Sequence, residues 1–135
     1  MLRVACAVIL KDKKILVTQR GPGMTMPFKW EFPGGKIEVG ETDEACILRE
    51  LKEELHISVL LSEKLTETTH RYNDFQITLV PFLAHYESGS ITLTEHMNYS
   101  WLSPDELNDP DWAEADKPVV TEVLNMFASN QLQFK

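Results

Sequence analysis

The stretch from residue 34 to residue 61 admits very few foldings. Gly34-Gly35 opens it, and glycine allows close backbone approaches and conformations closed to other residues. Thr42 follows as an N-cap, with Asp43 and Glu44 in the first helical turn, where negative charge is favourable. Ile47, Leu48, Leu51 and Leu55 then recur at helical spacing. Beside that apolar stripe run Glu50, Glu53 and Glu54 at i, i+3 and i+4. Ile57-Ser58-Val59-Leu60-Leu61 has β character, so the helix is expected to end near His56. A helix end favours glycine because the backbone turns left-handed there. Histidine can make that turn at about 1–2 kcal/mol, so His56 reads as a cap substitution rather than a ligand or base.

The helix therefore buries one side and offers acids on the other. Taken alone, a glutamate-rich face is an ordinary solvated surface. Three like charges at that spacing also repel, which suits a cation held between them. Every donor is an oxygen, so a hard divalent ion, Mg²⁺ or Mn²⁺, fits best. A metal held by a few carboxylates commonly also holds substrate phosphates.

The flanking sequence reads mostly as strands. Residues 4–10 and Ile15-Leu16-Val17 form two strands about the turn Asp12-Lys13-Lys14, and residues 20–29 are a loop with two glycines and two prolines. Trp30-Glu31-Phe32 is a short strand. Residues 66–72 and 76–86 are strands joined at Asn73-Asp74, and Pro81 suggests a bulge or an edge position. Ser88-Gly89-Ser90 turns the chain into Ile91-Thr92-Leu93, and Tyr99-Ser100-Trp101-Leu102 is another strand. Ser103 caps a brief helix with Pro104 at its first position. Residues 118–127 carry an amphipathic pattern through Val119, Val120, Val123, Leu124 and Phe127. Strands, a helix, more strands and a final helix suggest an α/β fold in one domain, residues 1–135, with a mixed sheet between helices.

A chain of 135 residues with 43% hydrophobic and 25% charged residues has material for one core. No apolar run reaches the ~20 residues needed to cross a bilayer. Met1-Leu2-Arg3-Val4 lacks the marks of a signal peptide. Cys6 and Cys46 lie in apolar segments and read as buried reduced thiols, so a cytoplasmic location is expected. The net charge of −8 and the lack of a basic stripe exclude a nucleic-acid duplex as partner. An anionic phosphate substrate would need a metal to reverse the local field.

The whole spacing is more specific than its parts. Gly35, five residues, Glu41, seven residues, then Arg49-Glu50-Leu51-x-Glu53-Glu54-x-x-Ile57 resembles the Nudix box, G-x5-E-x7-R-E-U-x-E-E-x-G-U. One position departs: His56 stands where the family has glycine. Trp30-Glu31-Phe32-Pro33-Gly34-Gly35-Lys36-Ile37-Glu38, Trp101-Leu102-Ser103-Pro104 and residues 113–119 extend the resemblance to the MutT branch over nearly the whole chain.

That resemblance implies an α/β/α sandwich and hydrolysis of a nucleoside triphosphate to monophosphate and pyrophosphate. Glu50, Glu53 and Glu54 would ligate Mg²⁺ or Mn²⁺, with the carbonyl of Gly34. Glu53 would complete deprotonation of the attacking water. Arg49 would orient the glutamates by ion pairing, and Glu41 would play a supporting part. Glu95, six residues before Trp101, would be a general base or a further ligand, or else an exposed loop acid. Arg20 would bind phosphate, or stand as a plain loop arginine. Asp116 falls where sequences resembling CTP pyrophosphohydrolases have Ala-Asp-x-Pro. It would read the base, or cap the last helix. Trp30 or Phe75 could stack on the base or belong to the core.

Modified or surplus nucleotides, of cytosine or oxidised-guanine type, are the expected substrates, and a monomer or weak dimer is the expected state. Two other functions stay open. Tyr72, some sixteen residues beyond the box, admits a dinucleoside polyphosphate hydrolase. A non-catalytic nucleotide-binding module on the same fold is the other, although three glutamates exceed what mere binding needs.

Overall fold

The computed structural model describes residues 2–132. Eight strands and two α-helices are found among them: β1 Leu2–Lys11, β2 Lys14–Gln19, β3 Trp30–Glu31, β4 Gly34–Lys36, α1 Asp43–Leu55, β5 Ser58–Lys64, β6 Thr68–Arg71, β7 Gln76–Ser88, β8 Asn98–Leu102 and α2 Lys117–Ala128. The strands form one mixed sheet with β1 and β7 at its centre. These two run parallel, from Leu2 opposite Ile77 to Leu10 opposite His85, and the remaining pairs are antiparallel.

Side chains alternate across β1 and feed two separate cores, as a period of two requires. Ala5, Ala7 and Ile9 point to one face, where Cys46, Ile47, Leu51 and Leu55 of α1 cover them. Cys6, Val8 and Leu10 point to the other, under Val119, Val120, Val123 and Met126 of α2. The result is the expected α/β/α arrangement. No described helix is long and apolar enough to cross a membrane, and both cysteines are buried and free.

The local signals of α1 appear as bonds. Thr42 Oγ1 accepts from the N–H of Ala45, 3.0 Å away. His56 adopts φ 61° and ψ 36°, and its N–H returns to the carbonyls of Leu51 and Lys52. Four expectations need correction. Leu48 is not in the apolar stripe: it is 44% exposed, and Cys46 is buried instead. Pro81 is neither at an edge nor in a bulge. It lies in central β7 opposite Cys6, where β5 gives way to β6, and its carbonyl accepts from Leu65 N–H. Residues 91–93 form no strand: the Thr92 N–H binds the Leu55 carbonyl at the end of α1, 3.0 Å away, rather than a neighbouring strand. Asp116 precedes α2 in αR conformation, but its side chain makes no cap hydrogen bond.

Candidate active site

One cleft of about 310 Å³ opens at the junction of β1, β3, β4 and α1. Leu2, Val4 and Cys6 of β1 with Ile77 and Leu79 of β7 give it an apolar floor. Glu50 and Glu54 of α1 and Glu95 of the loop before β8 supply acids, and Glu31 and Asp116 add two more. Against these five carboxyl groups stand only Arg20 and Lys36 among the lining cations, so the described cleft by itself repels a polyphosphate.

Helix geometry decides which box glutamates enter it. Cys46, Glu50 and Glu54 form one i, i+4 row, directly over one another, and that row faces the sheet. Glu53 lies about 60° further round the helix from Glu50, in a row with Arg49. The structure accordingly leaves Glu53 outside the cleft. Its side chain is 58% exposed and 3.2 Å from Arg49 Nη1, beside a shallow depression that also includes Glu41.

Gly35 lets α1 come close. A Cβ there would collide with the carboxylate of Glu50 and push that side chain off its present position beside Arg49. Gly34 packs as tightly on the backbone of Ala5 and Cys6. Arg49 ties the region together. Its Nε donates to Glu41 at 2.6 Å, Nη1 to Glu50 at 2.7 Å, and Nη2 to Glu41 at 2.9 Å and the Lys36 carbonyl at 3.2 Å. Those bonds, with one from the N–H of Glu38, hold the Glu41 carboxyl down at about 2. The Glu50 carboxyl goes the other way: burial raises it, against the pull of Arg49, and the charges of Glu54 and Glu53 push the same way as burial. Glu54 accepts from Thr94 Oγ1 at 3.0 Å.

On the apolar side, Asp116 is 5% exposed and accepts from Phe32 N–H at 2.9 Å. Burial, then the nearby charge of Glu31, pushes its carboxyl well above the usual range, so the neutral acid is favoured. Phe75 is 43% exposed and stacks on Tyr72 with ring centroids 5.2 Å apart. Tyr72 accepts the N–H of Ala115 through its hydroxyl at 3.1 Å. Trp30 is not in the lining: it packs against the core under α2, with its backbone bound to Asp111 and Ala113.

Arg20 lines the cleft with each of its three guanidinium nitrogens making one hydrogen bond. Nε donates to the Thr25 carbonyl at 2.6 Å, Nη2 to Thr25 Oγ1 at 2.9 Å and Nη1 to Glu31 at 2.9 Å. Glu31 also binds His96 Nε2 at 2.8 Å. Sequence reasoning assigned no site role to Glu31 or His96. Their partners lie 11 and 65 residues away, and no local pattern announces such a pair.

The donor set suits a hard cation. Glu50, Glu54, Glu95 and the Gly34 carbonyl are all oxygens, and Glu50 is a half-desolvated acid among like charges. No three such side chains among the described residues converge on one metal position, because Glu50 is drawn to Arg49 and Glu54 to Thr94.

Comparison with known proteins follows the same line. A NUDIX domain model matches residues 1–123. The chain is 33% identical over 126 residues to the 8-oxo-dGTP diphosphatase of Escherichia coli (strain K12), covering 93% of this chain and 98% of that one. It is 31% identical over 129 residues to the CTP pyrophosphohydrolase of the same organism, covering 96% of each. A solved MutT NUDIX hydrolase from Burkholderia pseudomallei superposes with a TM-score of 0.81 at 27% identity, covering 90% of this chain and 97% of that one.

Proposed function

Because the chain belongs to the NUDIX domain family, we propose that it hydrolyses nucleoside triphosphates to nucleoside monophosphate and pyrophosphate with Mg²⁺ or Mn²⁺. The observation that carries this reading is a single cleft with two chemistries. Acids on α1 and the loop before β8 form one side, and a buried carboxyl with an exposed Phe75 stacked on half-buried Tyr72 forms the other.

Glu50, Glu54, Glu95 and the Gly34 carbonyl would hold the cation. Glu53 lies outside the cleft, 3.2 Å from Arg49, and would have to leave Arg49 and turn inward to join them. When bound, the cation neutralises phosphate charge and acidifies the attacking water. The chain's own residues do the rest. Arg49 holds the Glu50 carboxylate at 2.7 Å, and a glutamate such as Glu53, once turned inward, would take the proton of the attacking water. Arg20 fixes the residue 20–29 loop that walls the cleft through three of its five N–H donors, and the second N–H of Nη1 and of Nη2 would be its donors toward phosphate.

Asp116 favours a particular base edge. In its protonated form, which burial favours, it would keep one oxygen on Phe32 N–H and offer an O–H donor beside an acceptor. That pair matches a ring nitrogen next to an exocyclic amine, as cytosine and adenine present and guanine and thymine do not. Phe75, exposed over Tyr72, is the stacking surface.

The test is incubation with Mg²⁺ and a panel of NTPs, oxidised and methylated dNTPs, dinucleoside polyphosphates and ADP-ribose, with products separated by chromatography. Monophosphate plus pyrophosphate from a triphosphate is expected, fastest for a cytosine nucleotide. Turnover of dinucleoside polyphosphates alone would replace this reading with the second enzyme class, and no turnover would leave a binding module.

A further inference from the structure

Residues 89–97 connect β7 to β8 without regular hydrogen-bonded structure, yet Glu95 must be held there to a fraction of an ångström to serve the acidic wall. Its two neighbours make the connections. Thr94 Oγ1 donates to Glu54 Oε2 at 3.0 Å and approaches the Glu54 carbonyl at 3.3 Å. On the other side, the His96 ring is almost fully buried, and Nε2 meets Glu31 Oε2 at 2.8 Å. The N–H of Met97 binds the Gln19 carbonyl at 3.0 Å. Glu95 is thus bracketed, with Thr94 grasping helix α1 and His96 grasping strand β3.

The chemistry of His96 supports a purpose beyond packing. Glu31 also accepts from Arg20, so its carboxylate takes donors only, and Nε2 must carry the hydrogen. Nδ1 is then left buried with no hydrogen-bond partner among the described residues. A buried imidazole with one unsatisfied nitrogen is a poor choice for filling space, since an apolar side chain would carry no such penalty. Its bond to Glu31 is what the residue supplies.

We propose that Thr94 and His96 are paired positioning residues that set Glu95 against Glu54, and so fix the spacing of the acidic wall. This rests on the triphosphate hydrolase reading above. Neither residue touches the reacting atoms; each acts through a carboxylate, as residues behind a metal's own ligands do.

The experiment compares wild type with His96→Ala, His96→Gln and Thr94→Val. It measures kcat, KM, and Mn²⁺ affinity by electron paramagnetic resonance titration of the protein without nucleotide. Expected for His96→Ala and Thr94→Val are a fall in kcat of about 10- to 100-fold and a weakening of Mn²⁺ binding of similar size. KM should change little, since the base contacts stay in place. His96→Gln, which keeps a donor toward Glu31, should recover most of both losses. Should His96→Ala fail to fold, Thr94→Val and His96→Gln still decide. Wild-type kcat and Mn²⁺ affinity in Thr94→Val, or no recovery in a folded His96→Gln, overturns the bracket. An inactive wild type that binds Mn²⁺ counts against the hydrolase reading instead, and the Mn²⁺ titrations still judge the bracket.

Discussion

Asp116 and Glu41 respond to pH in opposite senses. Burial and Glu31 hold the Asp116 carboxyl well above its ordinary 3.8. The folded protein therefore binds that proton more tightly than the unfolded chain. The stability so gained is complete below about pH 3.8 and is lost as pH rises through the folded value. Asp116→Asn keeps an acceptor for Phe32 N–H and removes the ionisation. It should raise Tm at pH 7, with the gain vanishing near about pH 4, and it should reorder the preferred bases in competition assays. An unchanged ranking would remove Asp116 from base reading. Glu41 runs the other way, because Arg49 lowers it to about 2. Its stability is present above its ordinary 4.5 and is lost as pH falls toward 2. Glu41→Gln should lower Tm at pH 7, with the difference shrinking steadily as pH falls from about 4.5 toward 2, which thermal melts across pH would check. If Glu53 turns in from its place beside Arg49 to join the wall, Glu53→Gln should cut kcat by several orders of magnitude with folding intact. Near-normal turnover would leave Glu50, Glu54 and Glu95 as the working set.

Helix α1 carries its instructions locally, which is why its ends were legible in the sequence. Thr42 caps a chain that continues directly into the helix, and His56 must turn left-handed before β5 can begin. His56→Gly should therefore stabilise the fold by about 1 kcal/mol, and Thr42→Ala should cost about 1 kcal/mol, both measured by chemical denaturation. Kinetic constants should be unchanged in the glycine variant. The burial of Cys46 in place of Leu48 was less legible, because a helix has several apolar residues to offer and the sheet chooses among them. Pro81 misled for a similar reason. Its missing N–H suggests an edge, but the fold places it at a break between two partner strands. The Glu31–His96 bond was not legible at all. It joins β3 to a loop 65 residues later, and such pairing exists only after the sheet has assembled.

At the scale of the molecule, a net charge of −8 and a cleft that gathers Glu31, Glu50, Glu54 and Glu95 oppose compaction of the metal-free protein. Mg²⁺ should raise Tm more than Na⁺ at equal ionic strength, by an amount equivalent to about 2.7 kcal/mol at a hundredfold excess over Kd. Equal effects of the two salts would argue for screening alone. The α/β/α layering was readable from the order of periodicities, whereas the strand partners were not, since a sequence pattern marks a strand without naming its neighbour. The parallel partnership of β1 and β7 joins residues about seventy-five apart. During synthesis β1 must therefore wait until most of the chain has emerged, with an apolar run from Ala5 to Leu10 lacking its central neighbour. At ribosomal speeds of about 5–20 residues per second that wait lasts seconds. The strand that later anchors both cores is, for that interval, the stretch most in need of protection from aggregation.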